Sequence, residues 1–170
     1  GKLSFSTALH VGVGRGASGT DAPLRRNEQG ELILPGTALA GVLRTHATQL
    51  ATRMSFGDHS AKHCQALTKR DKKKEVCGCP VCHLFGEISP GEGDDEEKNG
   101  RASRLWVYDA RLIDAPPPFV RDGVGIDRST GTASRAGRVK FDYEIIPGGA
   151  QFALRLELED ATEDDQVLLA

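Results

Sequence analysis

Cys77, Cys79 and Cys82 fall within six residues, in the stretch CGCPVCH, and Cys64 lies thirteen residues before the first of them. Three thiols from one knuckle supply three of the four soft ligands that a tetrahedral zinc ion takes. Cys64 is the natural fourth, with His63, His59 and His83 in reserve. C-x-x-C-H is also the haem attachment signature, and C-x-x-C also serves redox chemistry. The first needs export and the second a strand-to-helix place in a βαβ unit, and the chain displays neither. The cysteines are therefore read as holding structural Zn²⁺, with no open coordination position for catalysis.

A second group lies in GTDAPLRRNEQGELILPGTALAGVLRTHA, residues 19–47. Asp21 stands close to Arg25 and Arg26 on a loop that leads into a helix. A helix start with arginines nearby favours anions. An acid placed there either quiets the charge, by capping a turn or pairing with an arginine, or does chemistry on something anionic. GRGASG, residues 14–19, matches G-x-G-x-x-G after a strand, but no helix opens directly behind it as a dinucleotide site requires. It reads as a glycine-rich loop open to a close-lying phosphate backbone. Asp127 sits in a similar polar, arginine-bearing loop. His10 and His46 fall inside regular elements and are read as packing.

Composition bounds what these residues can belong to. The 170 residues suffice for one domain, or one domain and an insertion, and 38% apolar content is that of a globular chain. No run approaches a membrane span and no export signal opens the chain, so reduced, metal-bound cysteines are favoured over disulfides. Gly1 in place of Met reads as a processed, tagged or excised piece of something longer. The net charge of −2 hides segregation: residues 1–54 carry six Lys and Arg against three acids, and residues 101–140 eight against four. Such a surface can carry a phosphate track.

The elements that must position these groups follow from periodicity. Residues 3–11 alternate as a half-buried strand. ELILP is a short extended piece, and from Thr37 the apolar positions Leu39, Val42, Leu43, Ala47, Leu50 and Met54 recur at helical spacing behind a Gly36-Thr37 cap. Residues 55–100 show no sustained period and read as an insertion with charged, flexible flanks. SRLWVYDARLI is a strand ended by APPPF. RVKFDYEII and AQFALRLELE predict a β-hairpin turning at Pro147-Gly148-Gly149. The order predicts an α+β sheet with a helix on one face.

Taken together, the chain resembles the RAMP superfamily, the RNA-binding backbone subunits of type III CRISPR effector complexes. LHVGVGRGASGTDAPLRRNEQGELILPGTALAGVLR, CPVCHLFGE, VRDGVGIDRSTGTA and FDYEIIPGGAQFALRLELE carry the likeness, in the family's order. The cysteine cluster before LFG is most similar to zinc-bearing domains of type III-D and single-chain fused effectors. The resemblance implies a ferredoxin-like, RRM-like core over residues 1–54 and 101–170, a zinc-binding insertion over 55–100, and a thumb β-hairpin in VRDGVGIDRSTGTASRAG.

It implies guide RNA, complementary target RNA and neighbouring backbone subunits or fused domains as partners, in the cytoplasm of a prokaryote and with no membrane. It further implies RNA contacts from Arg15, Arg25, Arg26, Thr37 and Arg44, and from Arg121, Ile126, Asp127, Arg128 and Thr130 of the thumb. Asp21 occupies the place of the family's target-cleaving aspartate, whose Mg²⁺-assisted cut would leave a 2′,3′-cyclic phosphate. The same place in a non-catalytic scaffold would only shape the loop. Two departures stand out. Ala40 replaces a lysine common in relatives, and the chain stops at DATEDDQVLLA, before the family's further helix and glycine-rich closing strand.

Overall fold

A computed structural model describes residues 1–14, 19–53, 77, 79–88, 100–133 and 140–170. Its first elements are β1 (Lys2–Ser4), β2 (Ile33–Leu34), α1 (Gly36–Ala51), α2 (Pro80–Phe85), β3 (Glu87–Ile88) and β4 (Gly100–Arg101). There follow β5 (Leu105–Val107), β6 (Ala110–Asp114), β7 (Phe119–Val124), β8 (Lys140–Ile145), β9 (Gln151–Ala153), β10 (Leu156–Leu158) and α3 (Glu163–Leu169). The chain divides into two compact units, Gly1–Pro35 with Asp109–Arg155, and Gly36–Tyr108 with Leu156–Ala170. All the strand pairs between these elements are antiparallel. That is the mixed α/β build of an RRM-like core.

In the first unit a four-stranded sheet runs in the order β1-β9-β6-β2. Phe152, on a central strand opposite both Leu3 and Leu112, is wholly buried. Phe5 meets its ring edge-on, with centroids 5.8 Å apart. Burying a side chain of this size stabilises by about 1.5–3 kcal/mol, so Phe152 is the sheet's main anchor. β7 and β8 form a separate ribbon, in register from Phe119↔Ile145 to Val124↔Lys140. Side chains alternate across a ribbon, so Asp122, Lys140, Asp142 and Glu144 share one face, and Arg121, Phe141 and Tyr143 the other. Phe141 lies across Gly123, its ring filling the place a Cβ would take.

The hairpin predicted at Pro147-Gly148-Gly149 does not form. β8 pairs with β7, and β9 lies between β1 and β6. The corner bonds instead to the N-terminal segment: Ile146 bridges Leu9, the Gly149 N–H donates to the Phe5 carbonyl, and the Phe5 N–H donates to the Ala150 carbonyl. Alternation fixes which face of a strand is apolar, not which strand it will pair with. The single strand predicted over SRLWVYDARLI likewise splits, β5 pairing with β10 and β6 with β2 and β9.

In the second unit α1 packs against α2, α3 and β5. The shared core is Ala47 and Ala51 of α1, Val81, Cys82 and Leu84 of α2, Leu105 of β5 and Leu168 of α3, together with Cys79. The buried stripe of α1 is thus Ala47, Thr48 and Ala51, while Val42 and Leu50 are half exposed or more. The predicted apolar face is rotated, because small residues let α2 approach and its bulkier Val81 and Leu84 fill the space. At the start of α1, a Cβ on Gly36 would overlap the Val107 carbonyl oxygen, so only glycine fits there.

The acidic C-terminal stretch is a helix with a capping box. The Thr162 hydroxyl accepts from the Asp165 N–H at 3.2 Å, and the Asp165 carboxylate accepts from the Thr162 N–H at 3.0 Å. Arg104 adds an ion pair at 2.9 Å to the buried Asp165. Burial raises the Asp165 pKa, but the Thr162 N–H and hydroxyl and the Arg104 guanidinium outweigh it, and the net shift is downward. Asp165→Ala leaves a helix start and a guanidinium without partners and should cost about 2–4 kcal/mol in denaturant unfolding. Because the folded pKa is depressed, this contribution is complete above about pH 4, the unfolded value. It is lost as pH falls through the folded pKa.

Candidate functional site

Asp21 is fixed by a ladder of backbone pairing rather than by an arginine. The Arg25 N–H donates to the Val11 carbonyl at 2.7 Å, Gly12 bridges Leu24, and Arg26 bridges Leu32. Ala22 bridges Tyr143, and the Glu144 N–H donates to the Ala22 carbonyl, so the loop runs as an added strand beside β8. At the end of this pairing the Asp21 N–H donates to Asp142 Oδ1 at 2.6 Å, and the Asp142 N–H returns to Asp21 Oδ2 at 3.1 Å. Among the described residues Asp21 makes no ion pair with Arg25 or Arg26. It lines an open cleft of about 410 Å³ with Asp122, Gly123, Val124, Lys140, Phe141 and Asp142.

The neighbouring cations divide. Arg26 is paired with Glu144 at 2.7 Å, and Glu144 also accepts the Leu24 N–H, so this arginine braces the loop. The exposed side chain of Arg25 makes no hydrogen bond or ion pair among the described residues and faces solvent. Thr37 is exposed in the first turn of α1. Arg15 lies outside the described residues.

At the tip of the β7–β8 ribbon, Asp127 organises a tight turn. Its Oδ1 accepts the Ser129 hydroxyl at 2.7 Å and the Ser129 N–H at 2.8 Å. Those bonds from Ser129 hold its carboxyl below the usual range. The Asp127 N–H and carbonyl bond to Thr132 and Gly131, and Ile126 bridges Ala133. Thr130 shares a hydroxyl hydrogen bond with Thr132. Ile126, Arg128 and Arg121 project into solvent.

Sequence reasoning passed over Asp142 and Glu144, which hold the Asp21 loop, and the aromatic row beside them. His10 Nδ1 lies 2.7 Å from the Glu144 carbonyl, its ring stands edge-on to Tyr143, and Tyr143 lies nearly parallel to Phe141. The signal was present in KFDYEI. Its strict alternation sets Lys140, Asp142 and Glu144 on one face.

The Sγ atoms of Cys77, Cys79 and Cys82 lie within 4.8 Å of one another. Thiolates around tetrahedral zinc stand about 3.8 Å apart, as Zn–S bonds of about 2.3 Å require, so these three sulfurs could hold a metal such as zinc with little rearrangement. The chain folds this way because Cys79 caps α2, taking the Cys82 N–H on its sulfur at 3.4 Å, with Pro80 in the first turn. Cys77 is held from the side by its N–H, which donates to Glu87 Oε2 at 2.7 Å. The other oxygen of that carboxylate, Oε1, is buried without a hydrogen-bond partner among the described residues. Arg44 bonds to Cys82 and to the end of α2. Cys64, His59 and His63 lie outside the described residues. His83 does not join the three thiols. Burial first, then the charges of Arg101 and Arg104, lower its pKa.

No helix among the described residues is long and apolar enough to cross a membrane. A family model described as the RAMP superfamily matches residues 2–170, essentially the whole chain. No curated protein matches it.

Proposed function

This chain belongs to the RAMP superfamily of CRISPR-associated RNA-binding proteins, and on that premise we propose that it is a guide-RNA-binding backbone domain of a prokaryotic, cytoplasmic type III effector in which Asp21 cuts target RNA. The observation that carries this reading is the setting of Asp21. Its carboxylate stands on the wall of a cleft beside the β7–β8 thumb, lined also by Lys140, and makes no ion pair with an arginine among the described residues. Arg25, Thr37, Arg121 and Arg128 are exposed and supply contacts to RNA phosphates. Ile126 and the Asp127 turn enter between bases and displace one. Residues 1–54 and 101–170 form the RNA-binding core, and 55–100 the zinc-bearing insertion.

A displaced base frees the sugar so that its 2′-hydroxyl lines up with the adjacent phosphate. Asp21 takes the hydroxyl proton, the 2′-oxygen bonds to phosphorus, and the bond from phosphorus to the 5′-oxygen breaks. The leaving oxygen takes a proton from water. The products are a 2′,3′-cyclic phosphate and a 5′-hydroxyl. Among the described residues no three carboxylates converge as an ion cage. Mg²⁺ commonly binds through one or two carboxylates and phosphate oxygens, and Asp21 with Asp142 or Asp122 would serve it. When bound, it neutralises charge at the phosphate.

A second reading, a guide-RNA scaffold without cleavage, is favoured by the reciprocal Asp21–Asp142 bonds. They would hold the loop in an inactive domain equally well. Incubating the assembled guide complex with target RNA and Mg²⁺ separates the two. Cutting at regular sites supports the first, and intact target supports the second. For guide binding itself, Arg128→Ala should weaken affinity about equally for all sequences and lower the salt slope by about one charge. A change in sequence preference would instead assign Arg128 to base edges.

The three thiols serve structural zinc, with Cys64 as fourth ligand. Soft thiolates suit this ion, and binding it ties the knuckle to the core of the second unit.

A further inference from the structure

We infer that Arg44 is a positioning residue of the cysteine metal centre, offsetting the charge of the Cys82 thiolate and tying the knuckle to α1. The inference rests on the zinc reading above. Arg44 lies one turn before Ala47 and Thr48, on the stripe of α1 that packs against α2. Its guanidinium forks: Nη1 donates to the Gly86 carbonyl at 3.0 Å and Nη2 to Cys82 Sγ at 3.4 Å. Gly86 ends α2, so one side chain holds both a ligand and the far end of the helix that carries it.

The chemistry favours this assignment over a phosphate contact. Cys82 is 1% exposed and Cys79 5%, so little water reaches those sulfurs. Three thiolates and one Zn²⁺ carry a net negative charge, four thiolates more, and burying it uncompensated is costly. A guanidinium stays charged and spans two acceptors in a fixed geometry that an ammonium cannot copy. Both ends of the Arg44 fork are engaged inside the second unit, leaving no end committed to RNA.

The test compares the full chain with Arg44→Gln and Arg44→Lys. Zinc retention is read by transfer to a chromophoric chelator, and thiolate bonding by the charge-transfer band of the cobalt-substituted protein. Arg44→Gln should hold zinc about 10–100-fold more weakly, the usual cost of removing an outer partner of a metal ligand. Its cobalt band should shift, and Arg44→Lys should fall between it and the parent. With zinc saturating, the salt slope of guide-RNA binding should match the parent's. Equal zinc retention and an unchanged band in both variants would overturn the inference. So would a slope lowered by one charge with zinc retention unchanged, which returns Arg44 to the phosphates. Should Arg44→Gln fail to fold, Arg44→Lys decides by the same readings. A parent chain that binds no zinc would instead defeat the metal reading beneath.

Discussion

Cys79→Ser should leave the purified chain without zinc and the second unit markedly less stable. Serine isolates the metal's contribution, because it caps a helix at least as well as the cysteine it replaces. The cap of α2 therefore survives, and only a ligand is lost. Ligand binding energy is folding energy where the site is not preformed in the unfolded chain, and structural zinc is worth about 10–16 kcal/mol in small folds that depend on it. The second unit also has Val81, Leu84, Leu105 and Leu168 to hold it. The loss should therefore be a part of that figure, though no smaller than the roughly 2–5 kcal/mol of a large core truncation. Metal analysis with thermal unfolding reads both quantities. A chelator should lower the midpoint of the parent toward that of Cys79→Ser and leave the variant unmoved. Parent protein made without chelators and carrying no zinc would end this account of the knuckle.

Asp21→Ala should lower target cleavage by about 10²- to 10⁴-fold, the usual weight of a lost general base. Target binding should stay the same or tighten slightly, since a carboxylate beside a polyanion repels it. The variant also loses the acceptor for the Asp142 N–H, an exposed bond worth about 1 kcal/mol or less, too little to disorder the loop. Asp127→Ala should behave differently. Its carboxylate holds the Ser129 N–H and hydroxyl, so its loss loosens the turn proposed above to displace a base. Binding and cutting should then fall together. Single-turnover cleavage and filter binding on one preparation distinguish the two patterns.

How far these sites were legible follows the range of the interactions that build them. The cysteine knuckle was readable because Cys77, Cys79 and Cys82 are close in the chain and one short helix brings their sulfurs together. Asp21 was readable as an acid in an arginine-bearing loop, but its partner was not. Asp142 is 121 residues away, and nothing local says which strand a loop will join. Arg44 shows the same limit. Its spacing along α1 is visible, yet the Cys82 sulfur and Gly86 carbonyl that engage it come from α2 and its C-cap, 38 and 42 residues on. On the predicted face of α1 Ala47 is buried but Val42 and Leu50 are not: size alone draws attention to them, whereas close helix packing adds Thr48 and Ala51. α3 did carry a local signal, the T-x-x-D capping box, within an acidic stretch.

The measurement closest to the central claim is cleavage of end-labelled target RNA by the assembled guide complex carrying Asp21→Asn. Asparagine keeps an oxygen to accept the Asp142 N–H, so the clasp of the loop on β8 is preserved while the carboxylate is gone. The parent complex should cut once per such domain, leaving a 2′,3′-cyclic phosphate on one product and a 5′-hydroxyl on the other. In Asp21→Asn that cut should vanish while target binding remains that of the parent. Full-rate cleavage at the same phosphate would contradict the account: Asp21 would then only shape its loop, and the cut would come from another part of the effector.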